Sequence, residues 1–376
     1  MGEIHRDQYV STVQANVPLC SEHFRLVLQL PEFPPTEPGQ FIQISCRDLD
    51  VEYGPEHEMV EQDGHRSKPI GVELQAPLAM LRRPFSLAGR RDVGGDDLAS
   101  RQRAEALRKL REFVKDDLEE RRVRLASAGR DVKSASELTE PLQTPKQIVS
   151  ADRVELDIIH RVVGVGTDWM SRLKVGDCVH ILGPLGNRFT LPEHEQKAIL
   201  VGGGVGIPPM LYLAERLAGR SAVAFCGALR RDLLPLTIRE RVRAIGDADP
   251  REDIVEFARH GVASVITTDD GSYGFRGFVT QALEQYLDSR ETGAAKPIIY
   301  TCGPEPMMKR VADIANARGI ECQIAVERAM ACGMGTCQSC CIKVRRPPAA
   351  ASSGRDWVYR LACTDGPVFR GAELLW

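Results

Sequence analysis

The chain has 376 residues, 43% of them apolar, and a formal net charge of −3. That length suits two or three domains with sizeable cores, and the balanced charge gives no general pull toward nucleic acid or an anionic membrane. No run approaches the roughly 18 apolar residues of a membrane span, the start MGEIHRDQYVSTV lacks the apolar stretch of a secretory leader, and eleven cysteines predict a reducing, cytoplasmic setting.

Short β-rich runs open the chain at Tyr9–Val17, His23–Leu30 and Phe41–Cys46, and others follow at Val154–His160 and Cys178–Leu182. Their spacing predicts a small antiparallel β-barrel. Two polar stretches interrupt it, at about 48–75 and about 90–150. In the second, Leu107, Leu110, Val114 and Leu118 recur at helical intervals. That helix reads either as a solvated surface excursion or as a contact with another subunit.

Between the inserts, Arg83-Pro84-Phe85-Ser86 closes a predicted strand. Arg suits a pyrophosphate, and Ser a hydrogen bond to a flavin or phosphate, although the same tetrapeptide is common at ordinary strand ends. After the second insert, Gly164, Gly166 and Thr167 end a strand and open a short helix, TDWMSRL. The loop at Gly183–Gly186 in GPLGNRF reads as turn chemistry.

From Lys197 the pattern becomes α/β. KAILVGGGVGIPPM predicts a buried strand, a loop of Gly202, Gly203, Gly204 and Gly206, and a helix with Pro208 and Pro209 near its start. Three further strand–turn segments follow, most of them entering a helix, which is the rhythm of a parallel sheet. A ligand of such a sheet sits beyond the carboxyl ends of its strands. The candidates there are the glycine loop, Cys226-Gly227, Thr268–Gly271 and Cys302-Gly303-Pro304. The loop is neither a Gly-x-Gly-x-x-Gly fingerprint nor a Walker A loop.

Near the end stand Cys332, Cys337 and Cys340, spaced Cys-x4-Cys-x2-Cys, with Cys363 farther on. This is the plant-type spacing of a 2Fe–2S cluster. A structural zinc site is the alternative, but zinc usually takes two Cys-x2-4-Cys knuckles, and only one is present. Cys341 adjoins Cys340, which alone keeps the x2 spacing from Cys337.

Taken together, the Arg-Pro-x-Ser, Gly-Thr, GPLGNRF, VGGGVGIPPM and CGPEPMM segments resemble the ferredoxin reductase superfamily. ERAMACGMGTCQSC with CTDGPVF narrows the likeness to the electron-transfer subunits of B-type dihydroorotate dehydrogenase. The resemblance implies an FAD-binding β-barrel at 1–192 carrying the two inserts, an NAD-binding α/β domain at 193–322 and a 2Fe–2S domain at 323–376. It also implies FAD contacts at Arg83, Pro84, Phe85 and Ser86, at Ile159, His160 and Arg161, and at Gly166 and Thr167. The cluster ligands would be Cys332, Cys337, Cys340 and Cys363. His160 departs from the pattern, since an aromatic residue is expected there.

Nicotinamide exchanges hydride, a cluster passes single electrons, and a flavin does both. The implied function is therefore transfer of electrons from the FMN of a dihydroorotate dehydrogenase catalytic subunit, in a heterotetramer, through 2Fe–2S and FAD to NAD, in pyrimidine biosynthesis. No acid–base catalytic residue is expected. A ferredoxin–NAD(P) or sulfide oxidoreductase subunit would share these modules, and a zinc-binding scaffold is the reading from another class. Arg230 and Arg231, after the second strand of the α/β region, leave NADP open.

Overall fold

The structure is a computed structural model that describes residues 7–47, 81–93, 153–193, 195–239, 248–289, 297–346 and 355–376. The helix expected around Leu107–Leu118 and the insert at about 48–75 lie outside them.

Seven strands form the first sheet: β1 (Asp7–Pro18), β2 (His23–Leu30), β3 (Phe41–Ile44), β4 (Arg83–Ser86), β5 (Gly89–Val93), β6 (Arg153–Arg161) and β7 (Cys178–Leu185). Their order is β4-β3-β7-β1-β2-β6-β5, and every pairing is antiparallel. Alternation turns Val13, Leu26, Leu28, Ile42, Ile44, Leu156, Ile158 and Ile181 into one apolar core. Strand β7 runs on to Leu185, three residues past the expected end, because Phe41 pairs with Leu185 across the sheet.

An ion-pair network braces this sheet. Arg25 on β2 grips Asp157 on β6 with two nitrogens, Nε to Oδ1 at 3.0 Å and Nη2 to Oδ2, and Arg91 on β5 reaches the same carboxylate at 3.7 Å. Burial would push the Asp157 carboxyl up, but Arg25 and Arg91 overcome it and hold it at about 2. The folded value is thus below the ordinary 3.8, so the stabilisation is fully present above about pH 4 and disappears as pH falls through about 2. Asp157→Asn removes the carboxylate that Arg25 grips, leaving only the weaker pull of Glu256 and Glu155, and is expected to cost about 3 kcal/mol at neutral pH. Denaturant melts of both proteins across pH check this, and the gap between them should close in acid.

The second sheet contains β8 (Ala198–Gly203), β9 (Ala222–Ala228), β10 (Ala263–Thr268), β11 (Phe275–Arg276), β12 (Ile298–Cys302) and β13 (Glu321–Ala325), all parallel. The last small strands are β14 (Cys341–Arg345), β15 (Trp357–Leu361), β16 (Val368–Arg370) and β17 (Leu374–Leu375). Strand β16 returns to the parallel sheet and pairs antiparallel with β13, while β15-β14-β17 form a third sheet. Among the described residues the α-helices are α1 (Val165–Ser171), α2 (Ile207–Arg216), α3 (Val255–Ala258), α4 (Val279–Asp288) and α5 (Glu305–Ala317). Among the described residues no helix is long and apolar enough to cross a membrane.

The chain leaves β8 toward β9 on one side and returns to β12 on the other. The crevice at the carboxyl ends of β8 and β12 is therefore the topological switch point of the sheet. Side-chain bonds fix the other units around it. Tyr212 on α2 donates to the Thr36 carbonyl at 2.7 Å, and Arg216 pairs with Glu37 at 3.0 Å. Asn187, from GPLGNRF, donates to the Val368 carbonyl and accepts from the Val368 N–H, both at 2.8 Å.

Candidate cofactor cleft and cysteine loop

A cleft of ≈ 1210 Å³ lies between the antiparallel sheet and the switch point. It exceeds the roughly 300–1,000 Å³ that takes one drug-sized ligand, which leaves room for more than one cofactor. Arg83, Pro84, Phe85 and Ser86 line it, as do Ile159, His160, Arg161, Gly166 and Thr167. From the parallel sheet come Gly203, Gly204, Gly206, Cys302 and Pro304. Gly202 and Gly303 stand outside this lining: a Cβ on Gly202 would meet Ile207, and one on Gly303 would meet Met307.

Several side chains have settled roles. The Thr167 hydroxyl accepts the N–H groups of Val163 and Gly164, at 2.9 and 3.1 Å, so it shapes the turn that opens α1. Burial pushes the Cys302 thiol up to about 12, which makes it a polarizable wall rather than a nucleophile. Arg161 is paired with Glu22 at 2.7 Å, and Arg328 with Glu305 at the start of α5. Arg230 binds Asp232 through both Nε and Nη2, at 3.0 and 3.2 Å, and the Arg231 guanidinium lies over the Tyr273 ring.

The imidazole of His160 is different. It is 1% exposed, stacks on Phe24 and meets Phe85 edge-on, and the Thr167 backbone stands beside its ring nitrogens. Burial lowers its pKa to about 4, so the ring is neutral. The His160 ring is packed in behind the cleft surface, so what it supplies there is a neutral, flat backing beside Phe85. Together with Phe85 and Ser86 on β4, this wall suits the flat apolar ring and polar edge of a flavin.

The cysteine loop rests against the same wall. Cys332 is half-buried, Cys337 exposed, and Cys340 and Cys363 buried. The N–H groups of Met334 and Cys337 point at the Cys332 sulfur, at 3.5 and 3.4 Å, and the Ser339 hydroxyl meets the Cys337 sulfur at 3.1 Å. That hydroxyl and neighbouring donors draw the Cys337 thiol down to about 6. Burial and the adjacent Cys340 push Cys363 up to about 12. Cys363 adjoins Cys340 and feels Cys332, which in turn adjoins Cys337, but among the described residues the four are not drawn into one metal-binding group. Thiols linked in this way, with N–H donors aimed at Cys332, suit a thiolate-bound cluster, whose iron would deprotonate every ligand.

Gly333 lets the loop reach the sheet. Its φ is +71°, and a Cβ would stand 2.7 Å from Gln43 Oε1 and 3.1 Å from Leu185 Cδ1. Gln43 is fully buried, lies opposite Pro84 on β4, and has neither amide atom paired. The loop and the Arg-Pro-Phe-Ser strand thus share one side chain as their partition. Motif reading missed Gln43, because a single Gln in a strand carries no signal. It also missed Met330, Phe278 and Pro367 in the cleft, which look like ordinary apolar positions.

Comparison with known proteins matches two regions of the chain. Residues 327–375 match the model for the iron–sulfur cluster binding domain of dihydroorotate dehydrogenase B, and residues 200–313 match that for an oxidoreductase NAD-binding domain. The dihydroorotate dehydrogenase B (NAD(+)) electron transfer subunit of Caldanaerobacter subterraneus subsp. tengcongensis is 33% identical over 62% of this chain and 81% of its own length. That of Geobacillus thermodenitrificans is 35% identical over 58% of this chain and 73% of its own. A solved chain of the NADH-dependent reduced ferredoxin–NADP oxidoreductase superposes with a TM-score of 0.57 at 22% identity, covering 98% of this chain and 90% of that one. This last likeness establishes the ferredoxin reductase-like fold.

Proposed function

Because the chain belongs to the family of electron-transfer subunits of dihydroorotate dehydrogenase B, we propose that it takes electrons from an FMN-bearing catalytic subunit, within a heterotetramer, and delivers them to NAD. When bound, the FAD supplies the exchange between one-electron and two-electron chemistry that a cluster and a nicotinamide require of each other.

The protein's own residues do the holding. Cys332, Cys337, Cys340 and Cys363 are the proposed cluster ligands, with the N–H groups at 334 and 337 and the Ser339 hydroxyl stabilising sulfur charge. Arg83–Ser86, Ile159–Arg161 and Gly166-Thr167 would hold the flavin. Gly203, Gly204 and Gly206, with Cys302 and Pro304, would receive the nicotinamide nucleotide, while Gly202 and Gly303 serve the packing of the two strand ends. NAD rather than NADP suits Arg230, whose guanidinium is occupied by Asp232. The three regions are the barrel, the parallel sheet through β13, and the segment from about residue 326 onward, so that β13 is not divided.

The observation that carries this reading is the Gln43 partition, which seats the cysteine loop directly behind the flavin strand. Co-expression with the candidate catalytic subunit is expected to give dihydroorotate-dependent NAD reduction only when both polypeptides are present. Flavin- and cluster-loaded protein that fails there but reduces NAD(P) from ferredoxin would instead be a ferredoxin-linked oxidoreductase subunit.

A further inference from the structure

Strand β3 is covered on both faces, and its side chains divide between two cores. Ile42 and Ile44 belong to the apolar core of the first sheet. Phe41 belongs to the core that also contains Leu182, Leu185, Cys340 and Cys363. Gln43 is turned to this second side. Its amide meets Gly333, the residue after Cys332, and its strand neighbours are Pro84 and Leu182.

A side-chain amide is out of place there. It carries two donors and an acceptor with two lone pairs, and burying it unpaired forfeits the hydrogen bonds it makes to water. Gln43 is 0% exposed, and neither Nε2 nor Oε1 has a partner. A Leu or Met would fill such an apolar space without that cost. Two other buried glutamines show the usual arrangement. Gln40 donates to the Gly186 carbonyl at 3.1 Å and accepts the Glu37 N–H at 2.9 Å. Gln323 donates to the Thr190 carbonyl at 3.2 Å and accepts the Thr190 N–H at 2.8 Å.

The acceptor on the Gln43 side is sulfur. The N–H groups of Met334 and Cys337 already converge on the Cys332 sulfur, at 3.5 and 3.4 Å. Gly333, between them, is what admits the amide: a Cβ at that position would stand 2.7 Å from Oε1 and 2.8 Å from Cδ of Gln43. Turning the amide over exchanges its oxygen for its NH2 within the same space, so the donor end is available to the loop.

We propose that Gln43 is a hydrogen-bond donor to the iron–sulfur centre, its amide N–H directed to a sulfur of the bound cluster on the Cys332 side. That bond helps to retain the cluster, and by withdrawing charge from sulfur it favours the reduced state and raises the reduction potential. The inference rests on the electron-transfer reading above. It adds to that reading a residue of the first sheet that sets the driving force for the step from cluster to flavin.

The test uses the holoprotein and reads the cluster directly. Wild-type protein from a glutamine auxotroph fed side-chain 15N-labelled glutamine should show, in pulsed electron paramagnetic resonance of the dithionite-reduced cluster, a 15N coupling that disappears in Gln43→Met. Gln338, exposed beside Cys337, takes the same label, so Gln338→Met is the companion variant. In a redox titration Gln43→Met should lower the potential of the cluster and leave that of the flavin unchanged. Its iron should pass to a chelator roughly 10–100-fold faster. A Gln43→Met cluster with the potential and iron retention of wild type would overturn the proposal. Equal shifts of the cluster and flavin potentials would mark a packing role alone and overturn it too. So would a 15N coupling that vanishes only in Gln338→Met, and this arm decides even if Gln43→Met does not accumulate. Wild-type protein that binds no flavin or no binuclear cluster would refute the electron-transfer reading itself, before any variant is made.

Discussion

Gly206→Ala is expected to abolish reduction of the bound flavin by NADH and to destabilise the protein by about 5 kcal/mol or more. The reason is space, not backbone freedom, since φ at Gly206 is −82°, which any residue adopts. A Cβ there would stand 2.1 Å from the carbonyl oxygen of Cys302, 2.2 Å from its carbonyl carbon and 2.5 Å from the nitrogen of Gly303. Those are main-chain atoms at the end of β12, which is hydrogen-bonded to β8 along its length. Neither side can yield by turning a rotamer, so the switch point itself must open. Gly204, in the same loop, has the opposite property: its φ is +54°, and a Cβ there would meet nothing within 4 Å. Gly204→Ala should cost only about 1–2 kcal/mol, from the left-handed backbone alone. Thermal melts and stopped-flow bleaching by NADH separate the two. A Gly206→Ala protein as stable and as quickly bleached as wild type would show that the two strand ends are not packed together.

Much of this architecture is legible in the sequence, for identifiable reasons. Glycine, proline and cysteine impose local geometry, so VGGGVGIPP, CGP and the cysteine spacing announce a strand end, a second strand end and a sulfur loop without tertiary information. Short β-rich runs likewise locate β1, β2 and β6 to within a residue or two. What escapes is everything set by which distant segments meet. Nothing local says that Val368–Arg370 returns to the parallel sheet, or that Asn187 clamps that return. Nor does anything local say that Gln43 is enclosed between the cysteine loop and the Arg-Pro-Phe-Ser strand, or that His160 is buried against Phe24 and Phe85. Those properties arise from packing, and they are where the site acquires its particular chemistry.

Cys340→Ser is expected to remove the electron paramagnetic resonance signal of a reduced binuclear iron–sulfur centre, whereas Cys341→Ser should leave it intact. Dihydroorotate-linked NAD reduction should fall with the signal, by more than the roughly 10–100-fold that outer-shell changes reach, while bleaching of the flavin by NADH persists. The two adjacent thiols differ through the strand that follows. Cys340 is 1% exposed and its sulfur adjoins that of Cys363, whereas Cys341 opens β14 on the exposed face it shares with Lys343 and Arg345. Ile342 and Val344 occupy the other face, inside the apolar core that also contains Cys340 and Cys363. For the Cys341 sulfur to take the place of Cys340, β14 must slip by one residue, and such a slip turns every side chain to the opposite face. Ile342 and Val344 would then face water, at about 1.5–3 kcal/mol each. Register therefore selects Cys340, and the two thiols are not interchangeable. If Cys340→Ser nevertheless kept its signal, the strand would have slipped, and adding Cys341→Ser to that protein would extinguish the signal.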